Sequence, residues 1–229
     1  MKCQVVVLLS MPTSTVEDYL KCILLEQRDP ESLVSMGQIS AALKVAPGTV
    51  TAMVKTLADG GLVSYEPYSG VRLTPPGRQL AAHVLRRHRL IELFLVKVMG
   101  MDWSDVHIEA EEMEHAVSER LVDRMDEMLG YPSVDPHGDP IPDVHGVIEL
   151  PERPNLLTCE LRKPVRVARV ADQSREFLQL LERRSLKPGS TLTVDRRDEA
   201  ADTVELRREG GGEVSLGFRA ASKIFVEPA

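Results

Sequence analysis

The stretch M-G-Q-I-S-A-A-L-K-V-A-P-G-T-V-T-A-M-V-K-T-L-A (36–58) decides the architecture of the first part of the chain. Its apolar residues recur at helical spacing over 36–43 and again over 49–58, and V-A-P-G (45–48) separates them with a tight turn. Two short helices joined by a turn of three or four residues are typical of a helix-turn-helix unit. This stretch therefore predicts a motif that places a helix against DNA.

Residues on both sides extend this motif to a winged helix. Residues 15–27 have the spacing of an amphipathic helix, with Ser14 or Thr15 available to cap it. Residues 62–65 and 71–74 alternate like β-strands, and the turn-forming segment between them predicts a hairpin. A helix before the helix-turn-helix unit and a hairpin after it together predict a winged-helix DNA-binding domain.

The middle of the chain is predicted to be helical. T-P-P-G (74–77) ends the hairpin, and residues 78–99 then have the pattern of one long helix. Residues 104–129 are predicted to form a second, acidic helix with an apolar stripe. Residues 131–142 are rich in Pro, Gly and Asp, so we expect them to be extended and irregular.

The last part of the chain is rich in predicted strands. Short alternating segments bounded by turns lie at 165–170, 191–195, 203–207, 214–217 and 223–227. A helical stretch at 174–184 interrupts them, and K-P-G (187–189) supplies one of the turns. This pattern favours a small SH3-like β-barrel, so the fold class predicted for the whole chain is mainly α with small β.

These patterns divide the chain into five segments. We expect a disordered extension over 1–11, a winged helix over 12–76, a helical dimerisation and metal-binding domain over 77–143, a linker over 144–160 and an SH3-like domain over 161–229.

Composition limits the class of protein. The chain has 229 residues, of which 43% are hydrophobic and 28% are charged, as expected of a folded protein. Its longest apolar run, Val5 to Leu9, is far shorter than the ~20 residues of a membrane-spanning helix and too short for a signal peptide. The three cysteines, Cys3, Cys22 and Cys159, have no paired spacing that would indicate a disulfide framework. We therefore expect a cytoplasmic protein without a membrane partner.

Charged residues are unevenly distributed along the chain. Residues 1–100 hold 11 basic and 8 acidic side chains, residues 101–150 hold 2 and 14, and residues 151–229 hold 15 and 13. Because the acidic middle repels polyanions, nucleic acid is expected to contact the first of these regions. Divalent cations are the expected means of neutralising the second.

The acidic middle also contains histidines at metal-ligand spacing. His88 and Glu92 lie four residues apart, so they share one face of a predicted helix. A second motif, H-x3-E-x2-E-H, consists of His107, Glu111, Glu114 and His115. Carboxylate with imidazole is the donor set expected for manganese, ferrous iron or zinc. The sequence contains no H-E-x-x-H, G-x-S-x-G or phosphate-binding glycine motif, and nothing in it indicates a substrate cleft, so we do not expect an enzyme.

Three ordered motifs resemble a known family. They are R-R-H-R-L-I-E (86–92), V-H-I-E-A-E-E-M-E-H (106–115) and H-G-D-P-I-P (137–142). With the winged helix before them, they resemble the diphtheria toxin repressor family of iron- and manganese-dependent transcriptional regulators. The resemblance runs from Thr13 to about Pro142 and, more weakly, through the C-terminal domain. It implies a cytoplasmic homodimer that binds double-stranded operator DNA when it is loaded with metal.

The resemblance implies two sets of metal ligands. Asp18, Glu111, Glu114 and His115 match the primary regulatory site, and His88, Glu92 and His107 match the ancillary site. Iron-type members carry Met and Cys where this chain has Asp18 and Glu111, so the hard oxygen ligands favour Mn(II) over Fe(II). Manganese-type members usually carry a Glu three residues after the Asp. This chain has Lys21 there, and its ammonium would repel a second cation.

Four further positions carry weaker expectations. Cys22, one turn from Asp18, is expected to be a core thiol rather than a replacement ligand. In iron-type relatives the C-terminal domain lends ligands to the ancillary site. Asp172, Gln173 and Glu176 lie near the corresponding stretch, but their spacing differs and none is assigned as a ligand.

The resemblance also implies how metal would control DNA binding. Asp18 belongs to the DNA-binding half and the other primary ligands to the second half, so a shared ion would fix the separation of the winged helices in a dimer. The expected DNA contacts are Thr49, Thr51 and Lys55 on the second helix of the motif, Tyr68 and Arg72 on the wing, and Lys44.

We therefore predict a metal-activated transcriptional repressor of metal homeostasis that binds palindromic operators as a homodimer, with Mn(II) ahead of Fe(II). The alternatives are an Fe(II)-responsive regulator of iron uptake, a metal-independent winged-helix regulator whose middle helices only dimerise, and a metalloenzyme or metal-storage module.

Overall fold

The structure is a computed structural model that describes residues 13–149 and 151–229. The predicted disordered extension over 1–11 lies outside the described residues. The chain divides into two compact units. Unit 1 contains the described residues up to Arg86 together with Pro142–Val147, and unit 2 contains Arg87–Ile141 and the described residues from Ile148 to Ala229.

Three helices form the body of unit 1. They are α1 (Ser14–Glu26), α2 (Met36–Leu43) and α3 (Pro47–Asp59). Helix α1 begins one residue earlier than predicted, because the cap is the Thr13 side chain, which accepts a hydrogen bond from the Val16 amide. Helix α2 begins with a capping box in which the Ser35 and Gln38 side chains bond each other's backbone amides. Helix α3 begins at Pro47, two residues earlier than predicted, because proline is favoured in the first turn of a helix. The helix-turn-helix unit is otherwise where its sequence predicts it.

The predicted hairpin packs beside these helices as the wing. Strands β1 (Val63–Glu66) and β2 (Gly70–Leu73) pair in antiparallel fashion, and Val71 also forms an isolated bridge with Val34. Gly70 has a φ of 147°, and a Cβ atom there would lie 2.6 Å from the Val34 carbonyl oxygen, so this close approach requires glycine. The structure therefore contains the winged helix that the sequence predicts.

Helix α4 (Pro75–Lys97) passes from unit 1 into unit 2. The prediction that T-P-P-G ends an element and that the helix starts at residue 78 was wrong by three residues. Proline has the φ angle of a helix and lacks only an amide that the first turn leaves unpaired, so the two prolines can begin the helix instead of preceding it. Gly77 lies in this first turn. Glycine is required at this position because a Cβ atom would come within 1.9 Å of the Leu62 carbonyl oxygen.

The predicted acidic helix over 104–129 is two helices. Helix α5 (Val106–Met113) ends with Glu114 as its C-cap, and α6 (Glu119–Met128) starts after Ser118, whose backbone is extended. The single-helix prediction was wrong because the apolar stripe continues across the break, while Ser118 followed by Glu119 is also a helix-start signal. The break places Glu114 and His115 at a helix end.

A five-stranded antiparallel sheet forms the last part of unit 2. Its strands are β3 (Pro164–Val170), β4 (Thr191–Asp198), β5 (Thr203–Arg208), β6 (Glu213–Gly217) and β7 (Ile224–Pro228). Helices α7 (Arg175–Arg184) and α8 (Phe218–Ala221) connect them, and α8 was not predicted. The sheet order is β6-β5-β4-β3-β7, and among the described strands the two edge strands do not pair, so the SH3-like sheet is not a closed barrel.

The core of this sheet includes Trp103, which precedes α5 and is 3% exposed. The sheet and the helices of unit 2 therefore share apolar packing. Within the described part of the chain, no helix combines the length and the hydropathy that crossing a membrane would require.

Candidate metal centre

His88 lies among carboxylates in the interior of unit 2. It is on α4 and only 5% exposed. Its Nδ1 atom lies 2.7 Å from Glu114 Oε2, and its Nε2 atom lies 3.1 Å from Glu92 Oε1. Glu92 is one helical turn further along α4, and Glu114 is the C-cap of α5. One imidazole therefore connects buried carboxylates from two helices.

His107 and Glu111 on α5 extend this group toward solvent. His107 Nδ1 lies 3.2 Å from both Glu92 Oε1 and His88 Nε2, and Glu111 Oε1 lies 3.6 Å from His88 Nδ1. We call the five residues His88, Glu92, His107, Glu111 and Glu114 the outer cluster. His115 lies at its edge, with Nε2 3.3 Å from Glu114 Oε1. The structure thus brings together the six residues of unit 2 that the sequence predicts as metal ligands.

A second group, absent from the predicted ligands, shares Glu92. Glu92, Asp135 and His137, which we call the inner cluster, each offer one ligand atom within 4.8 Å of the others. His137 Nδ1 lies 3.6 Å from Glu92 Oε2 and 4.0 Å from Asp135 Oδ1. All three residues are buried. Asp135 and His137 belong to the segment that the sequence predicts to be irregular, so no helical spacing pointed to them.

A hydrogen bond sets the orientation of the His137 ring. Its Nε2 atom lies 2.9 Å from the Trp103 carbonyl oxygen and donates to it. In the neutral imidazole this leaves the lone pair on Nδ1, which faces the inner cluster. The Trp103 ring also stacks on the imidazole, with 5.6 Å between ring centroids. Backbone and aromatic packing therefore present His137 in the tautomer that a metal ligand requires.

Burial and proximity shift the pKa values of the inner cluster in different directions. Burial raises the pKa of Glu92, but the imidazoles of His107, His137 and His88 outweigh this and hold it well below its usual range. Burial, together with the charges of Glu92 and Asp139, raises the pKa of Asp135 to about 7. Burial lowers the pKa of His137, but Glu92 and Asp135 reverse this, and the net shift is upward. Glu92 is therefore the carboxylate of the cluster that stays ionised, and it lies beside two groups whose pKa values are raised.

The sheet of unit 2 holds the loop that carries this cluster. The Val170 amide donates to the His137 carbonyl oxygen at 2.9 Å. Asp139 accepts hydrogen bonds from Arg169 at 2.9 Å and from Gln173 at 2.7 Å. Gly138 has a φ of 86°, and a Cβ atom there would lie 2.0 Å from a β3 carbonyl oxygen. Contacts from β3 and the residues after it therefore fix the position of the loop.

The predicted DNA-contacting residues lie on the surface of unit 1. Lys44, Thr49, Lys55 and Tyr68 are exposed. Thr51 is half-buried, and its hydroxyl donates to the Pro47 carbonyl oxygen at 3.0 Å. Arg72 forms a partly exposed ion pair with Glu66 at 3.4 Å.

Comparisons with known proteins agree with this architecture. Residues 11–71 match the family model "Iron dependent repressor, N-terminal DNA binding domain", and residues 74–143 match "Iron dependent repressor, metal binding and dimerisation domain". Residues 155–228 match the FeoA domain. A solved manganese-dependent transcriptional repressor in complex with manganese is 37% identical, with a TM-score of 0.83, and the match covers 93% of this chain and 100% of that one. The chain belongs to the diphtheria toxin repressor family.

Three further proteins are similar to this repressor. The HTH-type transcriptional regulator MntR of Geobacillus kaustophilus is 34% identical over 53% of this chain and 84% of its own length. An uncharacterized HTH-type transcriptional regulator of Methanocaldococcus jannaschii is also 34% identical, over 49% of this chain and 90% of its own. The solved structure of ScaR with bound Cd2+ is 33% identical with a TM-score of 0.75, covering 95% of this chain and all of that one. The resemblance read from the three sequence motifs is confirmed.

The repressor's donor atoms suit a divalent transition ion. None of the candidate clusters among the described residues contains a cysteine, so their donors are carboxylate oxygen and imidazole nitrogen. Glu92 Oε2, Asp135 Oδ2 and His137 Nδ1 are buried without a hydrogen-bond partner. Such atoms are rare in folded proteins. Glu92 Oε2 and His137 Nδ1 lie 3.6 Å apart, so a cation coordinated by both would satisfy them, whereas Asp135 Oδ2 lies 3.6 Å from Arg89 Nε. On this test the residues fit a bound metal.

The remaining predicted positions of the repressor are on other elements of the fold. Asp18 is half-buried on α1 of unit 1. Cys22 is buried, and burial raises the pKa of its thiol to about 11, as expected of a core thiol. Asp172 pairs with Lys223, and Gln173 bonds Asp139. Asp172, Gln173 and Glu176 belong to none of the candidate metal clusters among the described residues.

Proposed function

We propose that this repressor is activated by Mn(II), binds palindromic operator DNA as a homodimer and controls metal-ion homeostasis. Ferrous iron is the alternative activator, with regulation of iron uptake as the corresponding role. The observation that carries the proposal is the convergence of carboxylates and imidazoles around His88, in a chain of this family. The names of similar solved structures described as manganese-dependent transcriptional repressors support manganese.

We further propose which residues hold the metal. The primary site consists of Asp18, Glu111, Glu114 and His115, and the ancillary site of His88, Glu92 and His107. The inner-cluster residues Asp135 and His137 add a third group of donors through Glu92. When bound, a divalent cation supplies the positive charge that these gathered carboxylates lack. Two of them, Glu92 and Glu114, are almost fully buried, which makes uncompensated repulsion costly.

In this proposal Asp18 is the residue that connects metal to DNA. It lies on the helix that precedes the helix-turn-helix unit, whereas the other primary ligands belong to unit 2. Coordination by both would fix how the winged helix is presented, and a dimer reads two half-sites only at one separation. The proposed DNA contacts are Lys44, Thr49, Thr51, Lys55, Tyr68 and Arg72. The neutral surface near Ala46 and Gly48 favours readout of DNA shape over many base contacts.

Transcriptional repressors of this family are not enzymes, and we propose no catalytic role for this chain. We propose a cytoplasmic location and the domain limits 12–76, 77–143 and 161–229, with a linker over 144–160. The described helices provide no membrane span that would argue otherwise.

The test is DNA binding measured against metal. An operator fragment is selected from randomised palindromic DNA, and its binding is followed by fluorescence anisotropy during anaerobic titration with Mn(II), Fe(II), Zn(II) and Co(II). We expect Mn(II) to activate binding, chelator to abolish it and Asp18→Ala to weaken it. Binding that is unaffected by chelator would favour a metal-independent regulator. Activation by Fe(II) at a far lower free concentration would reverse the ranking of metals.

A further inference from the structure

Lys21 is a buried lysine next to a proposed metal ligand. It is 6% exposed and is the only buried lysine among residues 13–149 and 151–229. It lies on α1 in unit 1 with Glu17, which is also buried, and Asp18, which is half-buried. An ammonium group is stable away from water only when opposite charge lies close to it. The burial of Lys21 therefore needs nearby carboxylates.

The helix itself supplies such carboxylates. Asp18 lies three residues before Lys21 and Glu17 lies four residues before it. Each carboxylate therefore neighbours Lys21 on the surface of α1, with its Cβ atom about 5–6 Å from that of Lys21. Leu20 and Ile23 are fully buried and belong to the apolar side of the helix. The polar face of α1 thus combines two carboxylates with one fixed positive charge.

The neighbouring thiol does not compete for this role. Burial, and after it the charge of Glu26, raises the pKa of Cys22 to about 11, even though the charge of Lys21 lowers it. Cys22 therefore stays protonated at neutral pH and carries no charge for Lys21 to balance. Glu17 and Asp18 are the carboxylates that α1 places on the same side as this ammonium.

We propose that Lys21 is a built-in cation of the Asp18 half of the metal site. Its ammonium offsets part of the carboxylate charge when no metal is bound, and it limits α1 to the binding of one divalent ion. Lys21 is thus a positioning and selectivity residue, not a ligand. This inference rests on the proposed function, because it takes Asp18 as a ligand. It predicts that the positive charge at residue 21 weakens metal binding and holds the number of ions down.

The experiment measures manganese binding to the full chain. Wild-type protein and the variants Lys21→Met, Lys21→Gln and Lys21→Arg are stripped of metal, and Mn(II) is titrated by calorimetry, with bound manganese counted after dialysis. Lys21→Met keeps the apolar stem, and Lys21→Arg keeps the charge. We expect the two neutral variants to bind Mn(II) at least about tenfold more tightly at one site, since removing a like charge a few Å away favours the cation. Lys21→Arg should match wild type.

A second measurement separates this role from simple packing. Thermal unfolding of the metal-free neutral variants should occur at a lower temperature than in wild type, and saturating Mn(II) should restore it. A structural role alone would lower the unfolding temperature equally with and without Mn(II), and would leave affinity and ion count unchanged. That result overturns the inference. If Lys21→Gln fails to fold, Lys21→Met decides the question.

The variant Asp18→Asn distinguishes failure of the inference from failure of the proposed function. If Asp18→Asn leaves Mn(II) affinity and DNA binding unchanged, Asp18 is not a ligand and the proposed function fails. If Asp18→Asn weakens Mn(II) binding but Lys21→Met has no effect, only the inference fails. We expect the gain from Lys21→Met to disappear in the Asp18→Asn background, because the two residues act on the same ion.

Discussion

The outer and inner clusters use the same donor types and share Glu92, but they differ in access to water. In the outer cluster the side chains of His107 and Glu111 are 45% and 40% exposed. In the inner cluster no residue is more than 4% exposed. An ion can therefore reach the outer cluster directly from solvent, whereas the inner cluster can be reached only if its loop moves.

The two clusters also differ in what holds them. The outer cluster is built from residues one turn apart on α4 and α5, so helix geometry positions its donors. The inner cluster depends on a loop that β3 holds through Val170 and Arg169. Helical spacing thus positions the paired donors of the outer cluster, whereas contacts with the sheet position the donors of the inner cluster. We expect mutations to separate them accordingly.

The largest effect is expected for Glu92→Gln, because this residue belongs to both clusters. Loss of one carboxylate should weaken Mn(II) binding at least ~100-fold, given that changes to outer-shell partners alone cost up to about that factor. The matched control is Glu119→Gln, which removes an exposed carboxylate of the same chemistry from an ion pair with Arg87. Calorimetric titration of both variants tests this. Equal affinities in the two variants would show that Glu92 is not a ligand of the bound ion.

Trp103 allows the two clusters to be followed separately. It is the only tryptophan of the chain and stacks on His137, so its emission should change when the inner cluster takes up metal. We expect stopped-flow mixing with Mn(II) to give a slow change in emission that His137→Gln abolishes. His107→Gln should weaken total binding but retain the emission change. If both variants abolish it, the clusters are one cooperative site and the distinction drawn above is wrong.

The role of the sheet in holding the inner loop can be tested at Asp139. Asp139→Asn weakens the bonds to Arg169 and Gln173, which are largely buried, and should lower the free energy of unfolding of unit 2 by about 2 kcal/mol. The emission change at Trp103 should then become faster, because the loop opens more readily. Arg175→Gln, which breaks an exposed ion pair with Asp105, should cost no more than ~0.5 kcal/mol. Denaturant unfolding and the stopped-flow assay measure both effects.

The contrast between the clusters also explains what the sequence could predict. His88 and Glu92 on α4, and His107 and Glu111 on α5, lie at helical spacing, so periodicity alone places each pair on one face of its helix. The winged helix was predictable for the same reason, since its caps and turns are local. Helical spacing, caps and turns each relate residues that are only a few positions apart in the chain.

Asp135 and His137 could not be assigned from spacing, because their loop takes its form from contacts with residues 30 or more positions away. The break between α5 and α6 was missed because a continuous apolar stripe outweighs a weak start signal at Ser118. A usable hint was present in H-G-D-P-I-P, where a histidine follows Asp135 among turn-forming residues in an acidic region. Such a hint becomes an assignment only when the packing of the sheet is known.

The smallest effect is expected in unit 1, where Ser35→Ala removes the capping box of α2. The loss of these bonds to Gln38 should lower the free energy of unfolding of unit 1 by about 1 kcal/mol, because unpaired amides at a helix start are exposed to water only in part. Mn(II) affinity should stay unchanged, since no donor of either cluster moves. Thermal unfolding and calorimetry on the same sample test this. A drop in Mn(II) affinity would mean that helix stability in the DNA-binding unit already limits metal binding, and the clusters could then no longer be treated as independent of it.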